Sequence, residues 1–106
     1  MIGLETNVVI RYLTQDDPVQ SPIANEFIEN TLNENNLGFI SLVSLVEIVW
    51  VLDACYSQKK ENLTKVIGSL LTIKQLKVES PDLVYLALKR YENGTADLSD
   101  AIIALV

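Results

Sequence analysis

The stretch from Phe39 to Leu52, FISLVSLVEIVWVL, holds a single charged side chain, Glu47. It follows a turn over residues 33–36, so residues 37–40 read as a short strand. Ser41 then reads as the N-cap of a helix that is apolar nearly all round, the pattern of a helix in the interior. The run is 14 residues long and carries a charge, whereas a membrane span needs about 20 apolar residues. A strand feeding directly into a core helix is the working unit of α/β domains. A carboxylate buried in such a helix without a partner costs several kcal/mol, so Glu47 reads as a residue kept for use.

The rest of the chain extends this unit in both directions. Residues 1–4 form an apolar strand ended by Glu5, Thr6 and Asn7. A helix with Val8, Val9, Tyr12 and Leu13 follows, stopped by the turn Gln15-Asp16-Asp17-Pro18. Ser21 reads as an N-cap with Pro22 at the first helical position, opening a helix with Ile23, Phe27 and Ile28 on one stripe. Downstream, residues 59–72 carry Leu63, Ile67 and Leu70 at helical spacing, and residues 76–79 alternate as a strand. Ser80-Pro81 opens a further helix that Asn93-Gly94 closes, and a last helix runs from Asp97 or Ser99 into the apolar end. Strands alternating with helices predict one α/β domain over residues 1–106, a parallel sheet with helices on both faces.

In an open parallel sheet, ligands gather at the carboxyl ends of the strands. Glu5 follows the first strand, Glu47 lies two turns into the helix after the second, and Asp97 and Asp100 open the last helix. Brought together, these carboxylates would make a pocket that stays ionised only around a cation. There is no histidine and only one cysteine, Cys55. That excludes His-based nucleophile systems, cysteine zinc sites and an internal disulfide, and leaves hard, oxygen-ligated metal chemistry. Plainer roles stand beside these. Glu5 also fits an ordinary strand end, and Asp97 with Asp100 has the spacing of a capping box. Cys55 reads as a small buried hydrophobe, and Trp50 and Tyr56 as core or interface residues. With 14 acidic against 8 basic residues the net charge is −6, which argues against non-specific wrapping of nucleic acid. No signal peptide is legible, so the expected location is cytoplasmic, with no membrane segment.

Three segments, IGLETNVVIRYLTQDDP, GFISLVSLVEIVWVL and TADLSDAIIA, resemble PIN-domain proteins, in particular VapC-type toxins of toxin–antitoxin pairs. The match is collinear and covers essentially the whole chain. The resemblance implies a three-layer α/β/α sandwich with a short central parallel sheet, its last strand missing here. It also implies an Mg²⁺- or Mn²⁺-dependent ribonuclease whose metal ligands fall on Glu5, Glu47 and Asp100, with Asp97 a further acid. Thr6 and Asn7 fall on polar positions lining the family's pocket. Glu5 stands where the family has Asp, which pushes the carboxylate outward by about 1.5 Å. The chemistry implied is metal-assisted hydrolysis of RNA phosphodiesters, the ions activating a water. Arg11 and the pair Lys59-Lys60 are the nearest candidates for phosphate contacts, although exposed cations are usually solvated charge. An antitoxin protein is an expected partner. The apolar end and a bare sheet edge predict a homodimer or larger homo-oligomer. The competing expectation is a catalytically degenerate PIN-like module that binds protein or nucleic acid without turnover.

Overall fold

The short run Gly38–Ile40 forms strand β2, which pairs in parallel with β1 (Ile2–Gly3) on one side and β3 (Leu76–Val78) on the other. Ile2 lies opposite Gly38, and Gly38 opposite Leu76. The coordinates are a computed structural model that describes residues 1–56 and 59–106. Helices make up most of the rest: α1 (Thr6–Thr14), α2 (Gln20–Glu26) running on into a π-helical turn (Phe27–Thr31), α3 (Leu42–Tyr56), α4 (Lys60–Leu70), α5 (Pro81–Asn93) and α6 (Leu98–Leu105). The expected α/β class and parallel sheet are both present. Among the described residues, no helix is long and apolar enough to cross a membrane.

Apolar residues at helical spacing decide how these elements pack. On α3 the stripe Leu45, Ile48, Val49 and Leu52 is almost completely buried. It meets Leu63, Ile67 and Leu70 of α4, Val84 of α5 and Ile102 of α6 in one continuous core. α3 packs against α1, α4 and α6, which makes it the hub of the domain. Gly38 sits where the core closes on the sheet. A Cβ there would lie 2.7 Å from Leu32 Cδ1 and 2.9 Å from Leu4 Cδ1, so only glycine lets these leucines close over the strand.

The helix starts follow from side-chain acceptors. Ser41 Oγ accepts the Ser44 N–H at 3.1 Å, as expected of an N-cap, and Glu79 Oε1 at the end of β3 accepts the Leu42 N–H at 2.9 Å. Two acceptors therefore fix the point where β2 turns into α3. The start of α2 differs from expectation. The helix begins at Gln20, because Asp17 Oδ1 accepts the N–H groups of Val19 (2.9 Å) and Gln20 (2.7 Å). Ser21 is instead buried inside the helix and donates its hydroxyl to the Arg11 carbonyl at 2.9 Å. The carboxylate outcompetes the hydroxyl as a cap.

α3 also departs from the expected interior helix. Its neighbours cover one side only, and Val43 (72% exposed) and Trp50 (54%) face outward. Cys55, expected to be buried, is exposed. The side chain of Tyr56 lies outside the described residues.

Candidate functional site

Glu5 is the second residue beyond the carboxyl end of β1 and occupies the N-cap position of α1 in an extended conformation, φ −74° and ψ 147°. Its carboxylate makes no capping hydrogen bond and is exposed. Together with Asn7, Val8 and Arg11 it forms one wall of a hollow of about 530 Å³, closed on the far side by Gln20, Ile23 and Phe27. Thr6 is half-buried and does not line this hollow. Arg11 brings the hollow a cation, with Nε 3.7 Å from Asp17 Oδ2. The Asp17 carboxyl is held below its usual range by the N–H groups of Gln20 and Val19, and less by Arg11.

Glu47 sits on the outer face of α3 and is exposed. This corrects the expectation of a buried carboxylate, and with it the inference that burial alone marks Glu47 for use. Its surroundings are nonetheless unusual. It stands in the wall of a second hollow, about 420 Å³, otherwise lined by Leu42, Val43, Val46, Trp50, Ile103 and Val106. Among the described residues the Glu47 carboxylate has no hydrogen bond or ion pair.

Asp97 holds the N-cap position of α6 with φ −67° and ψ 155°, and Asp100 lies in the first turn. A capping box would require the Asp97 side chain to accept a first-turn N–H, and it makes no such bond. Both carboxylates are exposed. Asp97 is near enough to the buried Tyr91 of α5 to act on it by charge. The Tyr91 phenol is pushed above its usual range by burial first, then by the charges of Asp53 and Asp97. Lys60 is held at the same place. Its Nζ donates to the Gly94 carbonyl at 2.8 Å and lies 4.7 Å from the Tyr91 ring centroid. Lys60, one of the candidate phosphate contacts, is therefore engaged within the fold while its residue stays exposed. Lys59 is exposed at the N-cap position of α4.

At the level of whole elements, the acid-bearing parts meet: α3 packs on both α1 and α6. The side chains do not form a ready-made metal centre. Glu5 and Glu47 line different hollows, and among the described residues no group of three or more Asp, Glu or Cys side chains is placed to hold an ion. The carboxylates thus do not fit Mg²⁺ or Mn²⁺ as they stand. Two features escaped the sequence. Val43, Val46 and Trp50 form a second helical stripe on α3, legible in retrospect from its 3- and 4-residue steps. The Glu79 cap links positions 37 residues apart, which no local pattern signals. Comparisons with family models, curated proteins and solved structures returned no match.

Proposed function

We propose that this chain is a PIN-type domain, a three-layer α/β/α fold of the VapC toxin kind, belonging to the divalent-metal ribonucleases that cut RNA phosphodiesters. The observation that carries this reading is the meeting of the acid-bearing elements. Glu5 opens α1, Glu47 rides on α3, Asp97 and Asp100 open α6, and α3 packs against the other two. The free state of these acids adds support. Neither Glu5 nor Asp97 caps its helix, and exposed carboxylates can turn toward a cation at little cost. Arg11 shares its hollow with Glu5 and Asn7 and supplies the positive charge there that an RNA phosphate would need.

The test is cleavage of a mixed single-stranded RNA pool with Mg²⁺ or Mn²⁺, beside a Glu47→Gln control. Metal-dependent cleavage lost in the variant supports the nuclease. Equal, background-level cleavage by both proteins puts the second reading ahead.

That second reading, a binding module without turnover, is favoured by the apolar hollow around Glu47. Val43, Trp50, Ile103 and Val106 are all more than half exposed there, and apolar side chains grouped in this way mark a contact surface. An antitoxin-like protein or a second copy of this chain would cover them. Light scattering at micromolar concentration tests the second copy: a monodisperse monomer counts against it.

A further inference from the structure

The hollow of about 530 Å³ between α1 and α2 is lined by polar side chains that the fold leaves uncommitted. Among the described residues, Glu5, Asn7 and Gln20 make no side-chain hydrogen bond. Arg11 gives only its Nε to Asp17, at 3.7 Å, and its two terminal nitrogens have no partner among those residues. Ile23 and Phe27 add apolar surface. Phe27 also opens the π-helical turn Phe27–Thr31, an irregularity frequent at functional sites. The two helices are braced to each other. Ser21 Oγ donates to the Arg11 carbonyl at 2.9 Å, and Asn25 Nδ2 donates to Gln15 Oε1 at 2.9 Å. The hollow is therefore preformed, as ligand sites usually are.

Glu5 and Arg11 set the chemistry of a ligand. Glu5 stands in a different hollow from Glu47, which frees its carboxylate to accept a ligand's donors. A carboxylate accepts two adjacent N–H groups at once. Among the RNA bases, guanine alone carries two adjacent donors on one edge, N1–H and the N2 amine, with the O6 acceptor beside them. The step from Glu5 to Arg11 covers about 9 Å along the helix axis, enough to separate a base edge from its phosphate. Unstacked bases bind by stacking on aromatic rings and by hydrogen bonds to their edges. We infer that this hollow is a guanine-nucleotide site. Glu5 accepts from N1–H and the N2 amine, the Asn7 or Gln20 amide donates to O6, the ring lies against Phe27, and Arg11 takes the phosphate. The inference rests on the ribonuclease reading for RNA as a source of the base, and it requires no metal.

The test is fluorescence anisotropy of labelled single-stranded UUGU and UUAU in buffer with chelator and no divalent metal. UUGU should bind about tenfold tighter than UUAU, the scale of one bidentate base contact. Inosine in place of guanosine lacks the N2 amine and should lose most of that preference. Glu5→Ala should bring the two RNAs level. Their ratio is the readout, because removing an anion strengthens the binding of any RNA. Arg11→Gln should weaken both RNAs several-fold and equally, and Trp50→Ala, in the other hollow, should leave the ratio at its native value. Guanosine monophosphate identifies the source of the base. Displacement of labelled UUGU near the Kd of UUGU supports the free nucleotide, and displacement only far above it supports the RNA chain; either leaves the guanine site standing. Equal binding of UUGU and UUAU, no binding of either, or a preference that survives Glu5→Ala overturns it. Guanine preference without metal-dependent cleavage strikes the nuclease reading alone, and cleavage without the preference strikes the guanine site alone.

Discussion

Replacing Gly38 with alanine should unsettle the centre of the sheet. The added methyl would lie 2.7 Å from Leu32 Cδ1, 2.9 Å from Leu4 Cδ1 and 3.1 Å from Leu76 Cδ2. Carbon atoms in good contact sit at about 3.5–4.0 Å. All three atoms are the ends of flexible side chains, but each leucine is enclosed, with exposures of 1%, 7% and 8% for Leu32, Leu4 and Leu76. Overpacking of this kind costs about 1–3 kcal/mol, a large share of the stability of a small domain. In a urea titration followed by far-ultraviolet circular dichroism, the midpoint should fall with the slope unchanged. A second variant identifies the cause. Leu32→Val removes the Cδ1 atom that clashes most, so Gly38→Ala with Leu32→Val should be less destabilised than the two single variants summed. Strict additivity, or a Gly38→Ala protein as stable as the native one, would refute the packing argument. The position matters for the site because β2 leads directly into α3, which carries Glu47.

Further expectations concern charge and surface. Glu79→Ala removes the acceptor for the Leu42 N–H and should destabilise by about 0.5–2 kcal/mol, whereas Glu79→Gln keeps an oxygen there and should lose less; thermal melts separate the two. The Asp17 carboxyl is held low in the fold, so its stabilising effect is present above the ordinary aspartate value of about 3.9 and is lost as pH falls through the lowered one. The stability gap between native protein and Asp17→Asn should therefore be constant near neutrality and close in acid. Tyr91 and Tyr12 are both shifted upward, so their neutral forms favour the fold below the usual tyrosine range, and this contribution is lost as pH rises through the raised values. Absorbance titration near 295 nm should show late-ionising phenols, and Asp97→Asn should bring Tyr91 back toward its usual range. Trp50→Ala should change stability by no more than about 0.5 kcal/mol and should lower the binding of a fluorescent apolar dye to the native protein.

The order of elements was legible because the apolar residues keep strict periods. The stripe of α4 and the turn residues between the elements match the architecture observed. Burial of individual α3 side chains was not legible. A helix apolar on every face looks the same in sequence whether its neighbours enclose it or cover half of it, and only the packing shows that Val43, Glu47 and Trp50 are left outside. The start of α2 escaped for a similar reason. Asp17 and Ser21 both suit a cap, and their geometry, which puts Asp17 Oδ1 within reach of two N–H groups, decides between them. The acids show the limit most clearly. Their position in the chain foretells which elements meet around α3, but the direction of an exposed carboxylate follows from no pattern of residues.

The all-parallel order of the sheet bears on how this chain reaches its fold. Among the described residues no strand has a hairpin neighbour, and each pair joins residues roughly forty positions apart, a separation that slows folding. Strand pairing must then wait until the intervening helices have compacted the chain. A stopped-flow experiment should therefore see helical signal rise ahead of protection at the Gly38 and Leu76 amides, and a nascent chain leaving the ribosome would hold Ile2 without a mate until β2 emerged.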